Sequence, residues 1–296
     1  MRLLSQHLRG VPQGRHNRWF HRLTALMVIL LGSIGFFTSV SAEEQTEFPT
    51  PIVIGVDEWQ PFTGKTMLQG GYATHLLTTV LERLGHPYKI RFAPWERITT
   101  EGRNGSVHLI PDMWQSRERK KHYIFSIPVL NNKLKIINRS GLKPKAQLLD
   151  DLNGLRIGLV QGFQYPDELV ENQNLARELA PDNRSNLLKL INGRIDVTIG
   201  DEIVARSILG KLEASEDQYY IPDASIDLSP LHIALSRKTP NGMELMRQIN
   251  CELAKMFNDG TVTTLKAQHN LAFITDDYNR AFNTYARFRC PSENEG

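Results

Sequence analysis

Between positions 116 and 128 the chain runs SRERKKHYIFSIP. Arg117, Glu118, Arg119, Lys120, Lys121 and His122 are basic or acidic, and the stretch from Tyr123 to Pro128 turns apolar. A guanidinium stays charged and presents paired donors that match a carboxylate. Such a run serves as a solvated face, as a patch for nucleic acid, or as a site for one small anion. Other chemistry is scarce. GKT at 64–66 ends like a phosphate-binding loop, but the glycine needed five residues earlier falls on Trp59. The nine histidines form no H-E-x-x-H, and neither C-x-x-C nor G-x-S-x-G occurs, so no metal, cofactor or serine nucleophile is expected. Asp57 and Glu58 are adjacent carboxylates, and neighbours on an extended chain face opposite ways.

The charge balance separates these readings. Arg2, Arg9, Arg15, Arg18 and Arg22 open the chain with no acidic residue, Leu23 to Val40 is mostly apolar, and Val40 and Ala42 precede Glu43. This order predicts a secretory signal, residues 1–42, cut after Ala42 and delivering the chain to the periplasm. An uncleaved anchor helix is the alternative. Glu43 stands where a lipoprotein would need cysteine. The full chain has 35 basic and 32 acidic residues, and without the five signal arginines the balance is 30 to 32. A slightly acidic chain is a poor tracker of phosphates, so no nucleic-acid partner is expected. Cys251 and Cys290 form an even pair in an exported chain. They predict a disulfide closing a loop of about 40 residues, worth roughly 4 kcal/mol in the chain-entropy model, with two free thiols as the alternative.

The elements that must hold these residues are readable along the chain. Ile52 to Val56 is a buried strand. GGYATHLLTTVLERLGH repeats apolar residues at helical spacing (Leu76, Leu77, Val80, Leu81, Leu84), and Gly85 ends it. YKIRFA and VHLIPDM are two further strands, an order that predicts a parallel sheet with helical crossovers. The pattern then restarts, with a strand at Arg156 to Val160, a helix over YPDELVENQNLARELA, and a helix then strand in NLLKLINGRIDVTIGD. NGSVHLIPD (104–112) and NGRIDVTIGD (192–201) echo each other, as equivalent strands of two similar lobes would. Segments 133–141 and 230–238 are extended and suit crossings between lobes. A helix follows with Met243, Met246, Ile249, Leu253 and Phe257 on one face. Lobe one is thus expected at 48–137 plus 232–290 and lobe two at 140–229. The hinges fall near 137–141 and 229–233, with a ligand cleft between the lobes.

In order and spacing, IGVDEWQPF, GGYATHLLTTVLERLG, SRERKKHYIFSIPV, DLNGLRIGLVQG, NGRIDVTIGDE and FNDGTVTTLKAQH resemble the amino-acid-type extracellular solute-binding proteins of ABC transporters, family 3. The resemblance implies an α/β, two-lobed periplasmic-binding-protein-like fold of type II, each lobe a mixed sheet flanked by helices. It implies a monomer, not an enzyme, that captures a carboxylate-bearing, amino-acid-like solute for a transporter permease. A sensing subunit for a membrane receptor and a dehydratase-like enzyme are alternatives on the same fold. In this family's pattern Arg119 and Ser116 hold the ligand carboxylate, Asp201 meets its ammonium, and an aromatic of the first loop, Trp59 or Phe62, stacks on it. Gln161, Gly162 and Phe163 supply backbone N–H groups near a helix start. Asp196 is structural, and Glu202 is a substitute for Asp201. The chain departs from the pattern at Asp112, Met113 and Trp114, where the family commonly has small residues, and at His108, expected to be a core histidine. Trp114 would narrow the cleft or add a stacking face, and Asp112 would bring negative charge near Arg119. Trp95 suits a cleft or a core equally well.

Overall fold

The computed structural model describes residues 48–274 and Cys290. The predicted signal, residues 1–42, lies outside them. The strand β1 (Ile52–Val56) is buried along its whole length because it lies between two parallel neighbours. After it come α1 (Tyr72–Arg83), β2 (Tyr88–Phe92), α2 (Trp95–Asn104) and β3 (Leu109–Trp114). Helix α1 buries Leu76, Leu77, Val80 and Leu81, and Gly85, at φ 74°, closes it with its N–H on Glu82. A long strand, β4 (Tyr123–Arg139), leads into the second series: β5 (Arg156–Val160), α3 (Asp167–Glu171), β6 (Ala176–Ala180), α4 (Asn183–Ile191), β7 (Val197–Asp201) and α5 (Glu202–Lys211). The chain then makes β8 (Tyr219–Tyr220), the return strand β9 (Asp227–Ser236), α6 (Gly242–Asn258) and α7 (Thr261–Gln268).

The sheet order is β2-β1-β3-β9-β4-β7-β5-β6, with β8 on β4. Each half of that order repeats one plan. The strand β1 pairs in parallel with β2 and β3, and β5 does so with β6 and β7. An antiparallel strand then closes each set, β9 on β3 and β4 on β7. The echoed segments of sequence end in β3 and β7, which hold equivalent places. The two halves meet where β4 and β9 pair with each other from Tyr123–Ser236 to Leu134–Asp227. Asp196, read as structural, holds that role: it accepts from Arg139 at 3.1 Å and from Arg156 at 3.0 Å.

Three sequence readings change. The helix expected over 165–180 is only the short α3, and its second part is the strand β6, paired in parallel with β5. ARELA has helix-forming residues, but the open edge of β5 supplies backbone partners that outweigh intrinsic propensity. Met243 is 68% exposed, so the buried face of α6 begins at Leu245 and Met246. The extended stretch at 133–141 is the end of a 17-residue strand that starts at Tyr123. Cys251 and Cys290 are bridged as expected, with Cα atoms 5.5 Å apart. Among the described residues no helix is long and apolar enough to cross a membrane.

The loop from Asp57 to Gly71 carries Trp59 and is held closed by backbone packing at its end. Gly71 sits at φ 96° and ψ 167°, and a Cβ there would meet the Phe62 carbonyl oxygen at 2.5 Å. That region of backbone space is open essentially to glycine alone. Gly71→Ala is expected to destabilise the protein by about 2–3 kcal/mol, read as a fall in melting temperature of several degrees. An unchanged melting curve would show that the loop tolerates a side chain there.

Candidate functional site

Four strand or helix ends converge. The end of β1 delivers Asp57 and then the Trp59 loop, which folds back so that the Trp59 N–H donates to Thr63 O at 3.0 Å. The end of β3 delivers Asp112 and Trp114, the start of α2 delivers Trp95, and the turn after β5 delivers Phe163 from the other half of the sheet. Together with Arg119 these residues line a cavity of about 20 Å³, the room of roughly one water molecule. Phe163 fills much of the space between the halves. Its ring lies 6.4 Å from Trp59, 5.8 Å from Trp95 and 6.0 Å from Trp114, each edge to face. Trp59 and Trp114 are themselves T-shaped at 5.6 Å. Such pairs add about 0.5–1.5 kcal/mol each beyond area burial.

Arg119 turns inward from the charged run. Its guanidinium donates to Trp114 O at 2.9 Å and to Gly162 O at 3.1 Å, and lies 5.2 Å from the Trp95 ring centroid. The Trp95 indole N–H donates to the same Gly162 carbonyl at 3.0 Å. One carbonyl from the β5 turn thus receives two donors from the β1–β3 half. Burial lowers the Arg119 pKa to about 10, and among the described residues no carboxylate lies within ion-pairing distance of it. Ser116 caps the short turn that carries Arg119, accepting the Arg119 N–H at 3.2 Å. Lys121 pairs with Glu118 on the exposed side of that turn.

Asp112 belongs to a buried acid pair that the sequence reading did not assemble. Thr63, fully buried, has its hydroxyl 3.3 Å from Asp57 Oδ1 and 3.0 Å from Asp112 Oδ2. Desolvation raises the pKa of both carboxyls, and their mutual repulsion adds to it at Asp112. Glu58, next to Asp57, is exposed, as the alternation of an extended chain requires.

Several predicted site residues stand behind the cavity wall. Phe62 is fully buried and backs Trp59, with ring centroids 4.9 Å apart. Asp201 caps α5, accepting the Val204 N–H at 2.9 Å, and also accepts from Asn132 at 3.0 Å. The same Asn132 accepts the Trp114 indole N–H at 2.8 Å, so Asp201 holds Trp114 at one remove. Burial pushes the Asp201 carboxyl up to about 6. Glu202 pairs with Lys135 at 3.0 Å and Arg206 at 2.9 Å. The expected N–H cradle at 161–163 is otherwise engaged: Gln161 N–H donates to Ala180 O and Phe163 N–H to Val160 O, at 2.9 and 3.2 Å. Gly162 contributes its carbonyl instead. His108 is half-buried in the core, its Nδ1 accepting the Val53 N–H at 2.9 Å.

Two α/β halves of one plan, joined by paired crossing strands with a cleft between them, make a two-lobed fold of the type II periplasmic-binding-protein kind. Solved structures agree. A histidine kinase sensor domain with similarity to periplasmic binding proteins superposes with TM-score 0.66 at 20% identity, over 75% of this chain and 96% of that one. The amino acid ABC transporter substrate-binding protein AbpA from Streptococcus pneumoniae, bound to L-arginine, gives TM-score 0.64 at 19% identity, over 77% and 97%. In sequence the chain is 22% identical to the L-cystine-binding protein TcyJ of Escherichia coli K12 over 229 residues, 76% of this chain and 84% of that protein. Residues 52–272 match the family of bacterial extracellular solute-binding proteins, family 3, and the chain belongs to that family.

The acid pair makes stability depend on pH in a defined direction. Both folded pKa values lie above the ordinary carboxylate value of 3.8. Their contribution is therefore most favourable below that value and is lost as pH rises through the folded pKa values. Asp112→Asn removes one titrating group and the repulsion. Its melting temperature relative to the wild type is expected to climb between pH 4 and pH 8, to a gain of a few degrees at the upper end. The histidines whose pKa values are lowered, His75, His108, His232 and His269, titrate in both proteins and cancel in the difference. A difference that does not change with pH would show that the pair is not titrating.

Proposed function

We propose that this protein is exported through a cleaved signal, residues 1–42, to the periplasm and there captures a small carboxylate-bearing solute, an amino acid or a relative. It would act as a monomer and pass the solute to an ABC transporter permease. The observation that carries this is Arg119: a guanidinium among aromatic rings, bound to two carbonyls, with no carboxylate partner among the described residues. An enclosed charge of this kind costs several kcal/mol unless an anion completes it. When the lobes part, the Gly162 carbonyl leaves Arg119 and its donors turn to the ligand carboxylate. Trp59, Trp114 and Phe163 then enclose the body of the ligand, and closure follows because only the closed form makes contacts from both sides. We assign the lobes to 48–137 plus 232–290 and to 140–229; that β4 and β9 both run from one half to the other supports two such lobes, although β4 already pairs with β7 of the second half from Leu134. The likeness to TcyJ and AbpA, one named for L-cystine and the other bound to L-arginine, supports an amino-acid ligand. The likeness to a kinase sensor domain supports a second reading, in which the same closure reports the ligand to a membrane receptor.

A thermal-shift screen of amino acids and small organic acids tests the capture of a carboxylate. A ligand at about 100 times its Kd should add about 2.7 kcal/mol to stability. Arg119→Ala is expected to abolish that shift, and a shift of unchanged size would remove Arg119 from the site.

A further inference from the structure

Apart from the solute cleft, two histidines face each other. His75 Nδ1 and His269 Nε2 lie 3.1 Å apart, with their ring planes at 71°. They stand 194 positions apart in the chain, so no local spacing announces them. His75 is on the first turns of α1, and its backbone N–H donates to Gly71 O at 2.9 Å. His269 follows α7, and its backbone N–H donates to Leu265 O and Lys266 O, both at 3.2 Å. Packing holds both in place. Helix α1 buries Tyr72, Leu76 and Leu77, and α7 buries Val262 and Leu265. The Tyr72 ring backs His269 edge to face, with centroids 6.1 Å apart.

A neutral imidazole carries one N–H and one bare nitrogen. One N–H···N bond therefore satisfies the contact as it stands. If that hydrogen moves to the far nitrogen of its own ring, two lone pairs face one space and no proton is lost. Two metal–nitrogen bonds of about 2.0–2.1 Å would span this separation at an angle of about 95–102°, between the octahedral and tetrahedral values. Burial lowers the pKa of both histidines, and a metal ligand must be the neutral ring. His269 is buried and His75 only half-buried, so a small cation reaches the pair from the His75 side. Among the described residues no third histidine, cysteine or carboxylate completes a cluster. Water would fill the other positions, and the ion would exchange.

We propose that His75 and His269 form a two-histidine site for a divalent transition cation of the Zn2+, Ni2+ or Cu2+ kind. Imidazole suits these ions, whereas Mg2+ and Ca2+ take oxygen ligands. None of the residues lining the aromatic cavity belongs to the site. The bound cation ties α1 to the end of α7. Because α1 begins at the glycine that closes the Trp59 loop, the tie also steadies the base of that loop.

Melting of the protein without an affinity tag, treated with EDTA and dialysed, tests the site on addition of ZnCl2 or NiCl2. Either ion is expected to raise the melting temperature by a few degrees. Mg2+ should leave it unchanged, and EDTA should reverse the rise. Titration calorimetry should count one ion per chain. His75→Ala and His269→Ala should each weaken binding at least about tenfold, each judged against its own metal-free melting curve. His122→Ala, on the turn after β3, should bind like the wild type. A melting temperature indifferent to both ions leaves a hydrogen bond and no metal site, which overturns the proposal. So does an affinity that either His75→Ala or His269→Ala leaves unchanged. If a variant does not fold, electron paramagnetic resonance of the wild type with one equivalent of Cu2+ decides: two coordinated imidazole nitrogens support the pair, and one or none overturns it.

Discussion

The fold turns on the pairing of β4 with β9. These strands run antiparallel from Tyr123–Ser236 to Leu134–Asp227, and they are the link between β3 and β7 in the sheet order. Every strand that carries a site residue is anchored, directly or through one neighbour, to this ladder. Its register therefore sets how β3, with Asp112 and Trp114, stands against β7 and β5, with Asp201 and the Phe163 turn. Two irregularities interrupt it, between Phe125 and Pro128 and between Pro128 and Leu130. A bulge bends a strand and increases its twist. The irregularities adjoin the end of β3, opposite His232 and Leu231, where Met113 and Trp114 also pair.

On that frame the cleft brings together groups that compete for burial. Arg119 and the acid pair lie around one cavity, yet the guanidinium donates to two carbonyls and the two carboxyls share one hydroxyl, that of Thr63, with Asp112 Oδ1 left without a partner. Direct pairing of the two would neutralise the charge and leave nothing to bind with. Keeping them apart costs stability, offset by the ring contacts of Phe163 and by the Gly162 carbonyl, which holds both Arg119 and Trp95. The separation is fixed by elements: Arg119 sits on a capped turn after β3, while Asp57 and Asp112 end two neighbouring parallel strands.

Much of this arrangement is legible in the sequence. Periodicity locates α1, β1, β5 and β7, and the echo of NGSVHLIPD and NGRIDVTIGD points to two like halves. Arg119 is singled out by the resemblance to the family pattern, since a charged run by itself reads as a solvated face. Other features are not legible. Alternation along an extended chain separates Asp57 from Glu58, but only the fold shows that the inward one meets Asp112, 55 residues later. Thr63 and Asn132 carry no signal of their own; they matter because the loop and the ladder place a hydroxyl and an amide between acids and an indole. The strand β6 is hidden because Ala176 to Ala180 favours helix locally and owes its conformation to the edge of β5.

Three tryptophans lie among the described residues, Trp59, Trp95 and Trp114, and all three line the cleft. One indole N–H is bound to the Gly162 carbonyl, one to Asn132, and one has no partner. The tryptophan emission of the described residues is therefore concentrated at the cleft. Each indole differs from the others in the polarity at its nitrogen, and a guanidinium lies 5.2 Å from the centre of one ring. Parting of the lobes would withdraw the Gly162 carbonyl from Trp95 and admit solvent to all three. These three indoles would then serve as an optical gauge of cleft opening, with no dye or label attached.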